Sequence, residues 1–234
     1  MRNALFAAAL TISSLCVSPA RSAELVVVEA HGVALRQGQT IDDADTLALR
    51  EGERVTLLAA SGKVLKLRGP YEQAPRTAIG AADAGLSQGL AALLVQKEAR
   101  TGQVGVVRTG TDPVALPEPW LIAVDRPGTF CVREESPVVF WRAATNKEEK
   151  VSVTPLDRSW KVTVTWPAGA DRLTMLDMLV PQRKLTYFVD VDGNRSAITI
   201  NNIPAVVGTD AMRVGWMIEK GCRAQAEALV RAPR

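Results

Sequence analysis

Short apolar stretches separated by glycine and proline turns make up the first part of this chain. Leu25–Ala30 is a β-branched run typical of a strand. Arg54–Ala59 and Lys63–Arg68 flank the turn Ala60–Gly62, so they predict a β-hairpin. The hairpin ends at Gly69–Pro70, because proline cannot donate to a strand ladder. The pattern predicts a compact β-roll or barrel.

Alternation is stronger in the second half of the chain. Trp160–Trp166 places two tryptophans and two valines on one face and Lys161, Thr163 and Thr165 on the other, as in a half-buried strand. Leu185–Val191 and Arg195–Ile200 flank Asp192-Gly193, a tight-turn signal that predicts a hairpin. Further short strands are predicted at Trp120–Val124, Thr129–Arg133 and Val138–Arg142. Strands at this spacing favour an immunoglobulin-like β-sandwich.

Two segments change to helical periodicity. Ala81–Arg100 has leucines at helical spacing and Asp83 as a candidate N-cap, which predicts an amphipathic helix that covers the first β-unit or binds a partner. Near the end of the chain, Asp210 is the predicted N-cap of a single terminal helix. One face of that helix carries Val214, Met217, Ile218, Cys222, Gln225 and Leu229.

The aromatic residues divide the chain into two units with separate predicted cores. Between Ala23 and Pro119 the only aromatic residue is Tyr71, whereas all five tryptophans follow. Asp112–Pro119 contains three prolines and marks the boundary. The predicted fold is mainly β, with one helix between the units and one at the end. The predicted ranges are 1–22 (signal peptide), 23–78 (first β-module), 79–101 (helix), 102–119 (linker), 120–205 (sandwich) and 206–234 (terminal helix).

The first residues have the order of a secretory signal: a positive charge at Arg2, the uncharged apolar run Ala4–Val17, then small residues. Cleavage is predicted near Ala20 to Ala23, with the cuts after Ala20 and after Ser22 both fitting. An uncleaved membrane anchor and a lipoprotein anchored at Cys16 are the alternatives. The apolar run is shorter than the roughly 20 residues of a spanning helix, so we expect a cleaved, periplasmic protein without a membrane span.

Removal of the leader would leave two of the three cysteines, Cys131 and Cys222. An even number of cysteines in an oxidising compartment predicts a disulfide. A reactive thiol pair or a metal pair is the alternative. The chain has no Cys-x-x-Cys, and its single histidine, His31, is distant in sequence. We therefore expect a structural disulfide that holds the terminal helix against the strand carrying Cys131.

Composition gives little information about partners. The formal net charge is +3 and the charges are dispersed without long runs, which is typical of a solvated surface. We therefore expect no nucleic-acid binding and no polybasic attachment to a membrane.

Residues with the spacing of a catalytic or metal site are scarce. With His31 as the only histidine, a multi-histidine metal site is excluded, and the Gly-x-Ser-x-Gly motif is absent. Asp190–Asn194 resembles a calcium loop but lacks its terminal glutamate, so a hairpin explains it better. Paired carboxylates of a hydrolase stay an open alternative, with Asp42, Asp43 and Asp45 as candidates. The sequence predicts no enzyme activity, no metal and no cofactor.

Aromatic side chains are the better candidates for binding. Sugar and peptide binders stack ligands on tryptophan and tyrosine rings. We expect Trp120 and Trp141 to be partly exposed, because Trp120 follows Pro119 and Trp141 lies near a strand end. Together with Tyr71, they are the candidate ligand-binding residues. Trp160 and Trp166 are expected in the core. The alternative is that all of these aromatic residues belong to the core.

The stretch Gly32–Pro75 combines apolar alternation with glycine turns. Its features are Gly38-Gln39, Leu47–Leu49, Gly52, Val55–Leu57 and the hairpin Ser61–Pro70. In these residues the stretch resembles the periplasmic β-module of FecR-like proteins. It implies a non-catalytic interaction or sensory module outside the cytoplasm. The second unit resembles uncharacterised exported proteins of Gram-negative bacteria. We therefore expect a non-enzymatic envelope protein that binds another envelope protein, or alternatively a cell-wall glycan.

Overall fold

The computed structural model describes residues 23–79, 115–134, 136–143, 146–175 and 184–233. These residues form fourteen strands and three helices, which confirms the predicted mainly β fold. The leader at 1–22, the helix predicted over Ala81–Arg100 and most of the 102–119 linker lie outside the described residues.

A small antiparallel sheet forms the first part of the protein. Its elements are β1 (Glu24–His31), β2 (Thr40–Asp42), β3 (Leu47–Leu49), β4 (Arg54–Ala59), β5 (Val64–Arg68), β6 (Tyr71–Gln73) and the one-turn helix α1 (Arg76–Ile79). Four strands pair in the order β2-β1-β4-β5, and β3 pairs with β6. The predicted hairpin is confirmed, since β4 and β5 are antiparallel neighbours.

Strand β1 is buried on both faces, because its alternating side chains enter two different apolar clusters. Leu25 and Val27 pack with Leu57 and other residues of the first sheet. Val26 and Val28 point the other way and pack with side chains from the end of the chain. This arrangement explains the unbroken apolar run of β1, which is typical of strands covered on both sides.

The second part of the protein is built from eight strands. They are β7 (Leu121–Ala123), β8 (Gly128–Arg133), β9 (Val139–Trp141), β10 (Glu149–Pro155), β11 (Val162–Trp166), β12 (Arg172–Thr174), β13 (Leu185–Val191) and β14 (Asn194–Ile203). A five-stranded sheet has the order β11-β10-β13-β14-β8, and a three-stranded sheet has the order β12-β9-β7. The pairs β8–β14 and β7–β9 are parallel, and the other pairs in both sheets are antiparallel.

The two sheets share one hydrophobic core, so this part is a β-sandwich. Ile122 and Phe140 from the three-stranded sheet pack in the same cluster as Val153, Val189 and Ile198 from the five-stranded sheet. The predicted hairpin at Asp192-Gly193 is confirmed, with both residues at positive φ, 46° and 90°. That conformation is the one two-residue hairpin turns require.

The single terminal helix predicted for 206–234 is wrong: two helices are present, α2 (Asp210–Glu219) and α3 (Arg223–Arg231). Between them, Gly221 has φ +82° and turns the chain, a common way to end a helix. The N-cap of α2 is Thr209, whose hydroxyl accepts a hydrogen bond from the Met212 amide at 3.2 Å. Asp210, the predicted cap, instead pairs with Arg213 at 2.8 Å.

Each part has its own apolar cluster, as predicted, but the two parts are not independent of each other. A single cluster joins Val26, Val28 and Leu58 of the first sheet to Trp216 and Met217 of α2. The turn of the β4–β5 hairpin lies directly on α2: a Cβ added to Gly215 would lie 2.5 Å from the Gly62 carbonyl oxygen. Helix α2 is therefore packed between the first sheet and the sandwich.

The predicted disulfide is confirmed, and its sulfurs are buried in this shared cluster. Cys131 of β8 is bonded to Cys222, the residue immediately before α3, across a separation of 91 residues. Nearby, the fully buried Gln225 side chain makes the hydrogen bonds to β8 that a neighbouring strand would otherwise make. Its amide accepts from the Cys131 N–H and donates to the Cys131 carbonyl at 2.9 Å and the Leu121 carbonyl at 3.3 Å. Cys222 and Gln225 thus attach α3 to the open edge of β8.

Within the described ranges, no helix combines the length and the apolar character that a membrane crossing requires.

Candidate functional site

The three aromatic residues predicted to bind ligand lie in three different clusters. Trp141 is 7% exposed and belongs to the sandwich core, so the expected partial exposure of this residue is wrong. Trp120 is half-buried, packs against the shared cluster and has the Arg133 guanidinium 4.5 Å from its ring centroid. Tyr71 packs against the core of the first sheet, and its hydroxyl donates to the Ala74 carbonyl at 3.2 Å. The fold does not bring these rings together.

A different aromatic pair lies beneath a partly apolar depression of the surface. Trp160 and Tyr187 have ring centroids 6.0 Å apart, with their planes at 47°. They line a groove of about 560 Å³ at one end of the five-stranded sheet. The groove lies between the β10–β11 loop and the beginning of β13. Its other lining residues are Pro155, Leu156, Asp157, Ser159, Lys184, Leu185 and Thr186.

Two exposed leucines border this groove. Leu156 is 61% exposed and Leu185 is 46% exposed, the highest values among the large apolar side chains of the described residues. The amide of Leu156 donates to the carbonyl of Thr186 at 3.0 Å, which extends the β10–β13 pairing and fixes Leu156 beside the start of β13. Burying a leucine side chain fully is worth about 1.5–3 kcal/mol, so these two residues leave free energy available to a partner.

The β10–β11 loop, which forms one wall of the groove, is held by hydrogen bonds of its own. Asp157 Oδ1 accepts from the Ser159 amide at 3.0 Å and from the Ser159 hydroxyl at 2.8 Å. These bonds lower the pKa of Asp157 because they stabilise its charged form, the backbone bond contributing most. The amide of Arg158 donates to the Pro155 carbonyl at 2.9 Å, and Arg158 has φ +57°. The wall is therefore a defined turn that presents an anionic carboxylate at neutral pH.

The floor of the groove is more deeply buried than its walls. Tyr187 is 2% exposed and belongs to the sandwich core, and burial raises the pKa of its phenol. Trp160 is half-buried and packs against the same core, so only part of its ring faces the groove. The groove thus has a rigid aromatic floor, apolar borders at Leu156 and Leu185, and opposite charges at Asp157 and Lys184.

Two of the three carboxylates considered for hydrolysis, Asp42 and Asp43, have structural partners. Asp42 Oδ1 accepts from the Ala44 amide at 2.8 Å, and Asp43 Oδ1 accepts from the Ala23 amide at 3.0 Å. In the hairpin resembling a calcium loop, Asp190 Oδ1 accepts from the Gly193 amide and Asp192 Oδ1 from the Lys150 amide, both at 2.9 Å. These carboxylates therefore stabilise turns.

Two other observations concern sites considered from the sequence. His31 lies at the exposed end of β1. Among the described residues, no group of three or more histidine, cysteine, aspartate or glutamate side chains is arranged to hold a metal ion.

A buried cation near the opposite end of β10 belongs to the packing of the sandwich. The Arg142 side chain forms a salt bridge with Glu149 and lies 4.5 Å from the ring centroid of Trp166. It also donates to the Pro167 carbonyl at 3.3 Å. Burial lowers the pKa of Arg142, and these contacts compensate for its desolvation by fixing the end of β9 against β10 and β11.

Comparison with protein-family models and with curated proteins finds no match for this chain. The groove therefore has to be interpreted from its own residues. The sequence assigned Trp160 to the core because it continues the alternation of Val162, Val164 and Trp166. The signal that could have identified it is the turn Leu156–Ser159 directly before it, which places Trp160 in the loop that precedes β11.

Proposed function

We propose that this chain is a non-enzymatic interaction protein of the cell envelope, and that its groove binds an apolar segment of a partner protein. The observation that carries this proposal is the pair of exposed leucines beside the Trp160–Tyr187 floor. Central aromatic and apolar anchors surrounded by a polar rim are typical of protein interfaces. Asp157 and Lys184 supply such a rim with both signs of charge.

The envelope location is supported by the disulfide and by the predicted leader. Disulfides persist mainly in oxidising compartments, and Cys131–Cys222 is buried in the centre of the molecule. The resemblance of Gly32–Pro75 to FecR-like modules supports an interaction or sensory-accessory role in the periplasm. The described helices include none that could cross a membrane, so we propose no membrane attachment through them.

The nature of the groove favours a protein over a sugar as its occupant. Leucine methyl groups make no hydrogen bonds, and sugars need polar groups at most of their contacts. We therefore expect the partner to insert an apolar side chain between Leu156 and Leu185.

Affinity capture with matched variants tests this proposal. The protein without its leader is immobilised and exposed to envelope extract, in parallel with the double variant Leu156→Ser/Leu185→Ser and the control Val206→Ser. Among the described residues, Val206 is the third exposed large apolar side chain, at 38%, and it does not line the groove. We expect one protein to be enriched by the wild type and by the control, and to bind the double variant at least tenfold more weakly.

The captured protein is then purified and its binding is measured directly. A photo-crosslinking amino acid at position 185 should attach to it. Equal binding by the double variant would contradict the assignment of the groove, and enrichment of glycan without any protein would contradict a protein partner.

A further inference from the structure

Phe188 stands apart from every other aromatic residue that the structure describes. The remaining nine (Tyr71, Trp120, Phe130, Phe140, Trp141, Trp160, Trp166, Tyr187 and Trp216) belong to, or pack against, one of the three apolar clusters. Phe188 belongs to none of them, although it is central in the five-stranded sheet. Its neighbours Tyr187 and Val189 enter the sandwich core, so Phe188 is on the opposite, outer face.

The residues around Phe188 on this face are small or polar. In the strand register, Phe188 lies between Thr154 of β10 and Ala197 of β14. Short side chains on both sides leave the ring half-buried instead of covered. A hollow of about 310 Å³ opens here, lined by Ser152, Thr154, Arg158, Lys161, Phe188, Asp190 and Arg195. This volume is at the lower end of the range for small-ligand sites.

The charged residues of the hollow are mostly basic. Arg158, Lys161 and Arg195 contribute three positive charges, and Asp190 contributes the one negative charge. Asp190 is already used, because it accepts from the Gly193 amide and lies 3.5 Å from Arg195 Nε. Within the described ranges, neither Arg158 nor Lys161 is in a salt bridge. The hollow is therefore complementary to an anion.

We propose that this hollow binds an anionic glycan, with one sugar ring stacked on Phe188. The C–H groups on one face of a sugar ring pack against an aromatic ring, and the hydroxyls of Ser152 and Thr154 can hydrogen-bond to sugar hydroxyls. Arg158 and Lys161 bind the carboxylate or phosphate of the sugar through charge-assisted hydrogen bonds. Arg158 is well placed for this, since the Pro155–Arg158 turn holds its backbone.

This site is distinct from the leucine-bordered groove, and the two proposals can fail separately. The hollow and the groove have no lining residue in common, although residues of the β10–β11 loop contribute to both. The variants that test one leave the residues of the other unchanged.

NMR titration of the labelled protein tests the site with three acidic probes. These are tetragalacturonate and N-acetylmuramic acid as carboxylates, and glucose 1-phosphate as a phosphate. Fully methyl-esterified tetragalacturonate is the neutral match. We expect at least one acidic probe to shift the amides of Thr154 and Phe188, and the neutral match to bind at least tenfold more weakly. Which probes bind shows whether the site prefers carboxylated or phosphorylated sugars.

Two variants separate stacking from charge. Phe188→Ala should weaken binding about tenfold, and Arg158→Gln/Lys161→Gln should weaken it by a similar factor and reduce its dependence on salt. The control Arg54→Gln/Arg68→Gln removes the same charge from exposed positions on the first sheet and should leave binding unchanged.

Several outcomes would overturn the proposal. They are the absence of binding by all three acidic probes at millimolar concentration, equal binding by the neutral match, and binding that survives Phe188→Ala. Equal shifts from inorganic phosphate would show a site for bare anions. Tighter binding of tetraglutamate than of any sugar would show a site for acidic peptides.

Discussion

At the scale of single residues, buried polar groups hold the fold together through hydrogen bonds within the protein, whereas exposed ones are free to bind other molecules. Gln225 is fully buried and satisfies both the amide and the carbonyl of Cys131, so a change to an apolar residue would leave buried backbone groups unpaired. The sequence placed Gln225 correctly on the buried face of a helix. Its partners were not predictable, because they come from strands 94 and 104 residues earlier.

The phenol of Tyr187 provides a prediction at this scale. Burial raises its pKa, so the folded protein should hold this proton to a higher pH than the unfolded chain. The protein has only two tyrosines, and in the variant Tyr71→Phe the only one left is Tyr187. Its absorbance titration should have a midpoint above that of the same variant in urea, where a value of about 10 is expected. Coincident midpoints would contradict the prediction.

The same shift has a consequence for stability. The pKa of Tyr187 is higher in the folded protein than in the unfolded chain. The contribution of its protonated phenol to the unfolding free energy is therefore fully present below a pH of about 10, and it is lost as the pH rises through the folded pKa. Tyr187→Phe removes this loss, so its unfolding free energy should fall less steeply with alkaline pH than that of the wild type. Burial also lowers the pKa of Lys220, and this shift makes the unfolding free energy rise with alkaline pH. Lys220 is present in both the wild type and Tyr187→Phe, so its effect cancels when the two are compared.

At the scale of elements, the β4–β5 turn and helix α2 approach each other so closely that neither side has room for a Cβ atom. A Cβ on Gly62 would lie 2.4 Å from the Ala211 carbonyl oxygen. Around this contact, Lys66 pairs with Glu219 at 2.8 Å, and Lys220 Nζ donates to the Val28 carbonyl at 2.8 Å. Turn and helix can approach this closely because glycine lies on both sides.

Gly215→Ala is therefore predicted to destabilise the protein, although alanine is the better helix former. The new methyl group would lie 2.5 Å from the Gly62 oxygen and 2.8 Å from Leu58 Cδ1, and we expect a loss of about 1–3 kcal/mol. The control is Gly208→Ala, whose Cβ would have its nearest neighbour at 3.9 Å. Chemical unfolding measures both. A more stable Gly215→Ala variant would show that the helix does not pack on the turn.

Local patterns predicted most strands well, because strand period and turn residues are properties of neighbouring positions. β4 and β13 were predicted to the residue, and β1 and β8 to within one residue at each end. The strands β2, β6 and β12 were missed, since three residues carry no period. The seven-residue strand β10 was missed as well, although Val151 and Val153 alternate with polar residues. The helix break at Gly221 was missed because the apolar face continues through it in sequence. The groove was missed because its walls come from loops joined only by the fold.

At the scale of the whole molecule, the shared cluster joins the two parts into one packed unit. The run Leu25–Val28 was a signal for this, since an antiparallel strand covered on one side would alternate. It was interpreted only as a strand, and the separate-core prediction followed from the distribution of aromatic residues. The partner of Val26 and Val28 could not be read from the sequence, because α2 follows more than 180 residues later.

The disulfide should contribute strongly to the stability of this unit. A separation of 91 residues predicts a loss of about 4–5 kcal/mol in the unfolding free energy when the bond is removed, in the chain-entropy model. Unfolding by denaturant with and without reductant compares the same sequence in both states. The variant Cys131→Ala/Cys222→Ala should behave like the reduced protein. A difference below about 1 kcal/mol would contradict the prediction.

The covering of β1 by α2 has a consequence for how the protein is made. Synthesis proceeds from the amino end, so Val26 and Val28 are among the first residues of the described chain to emerge, and Trp216 and Met217 are among the last. Until α2 has been synthesised and has packed against it, the first sheet exposes an apolar face that includes Val26 and Val28. A nascent or truncated chain that ends before residue 210 is therefore expected to require a chaperone, and proteases should recognise it as incomplete.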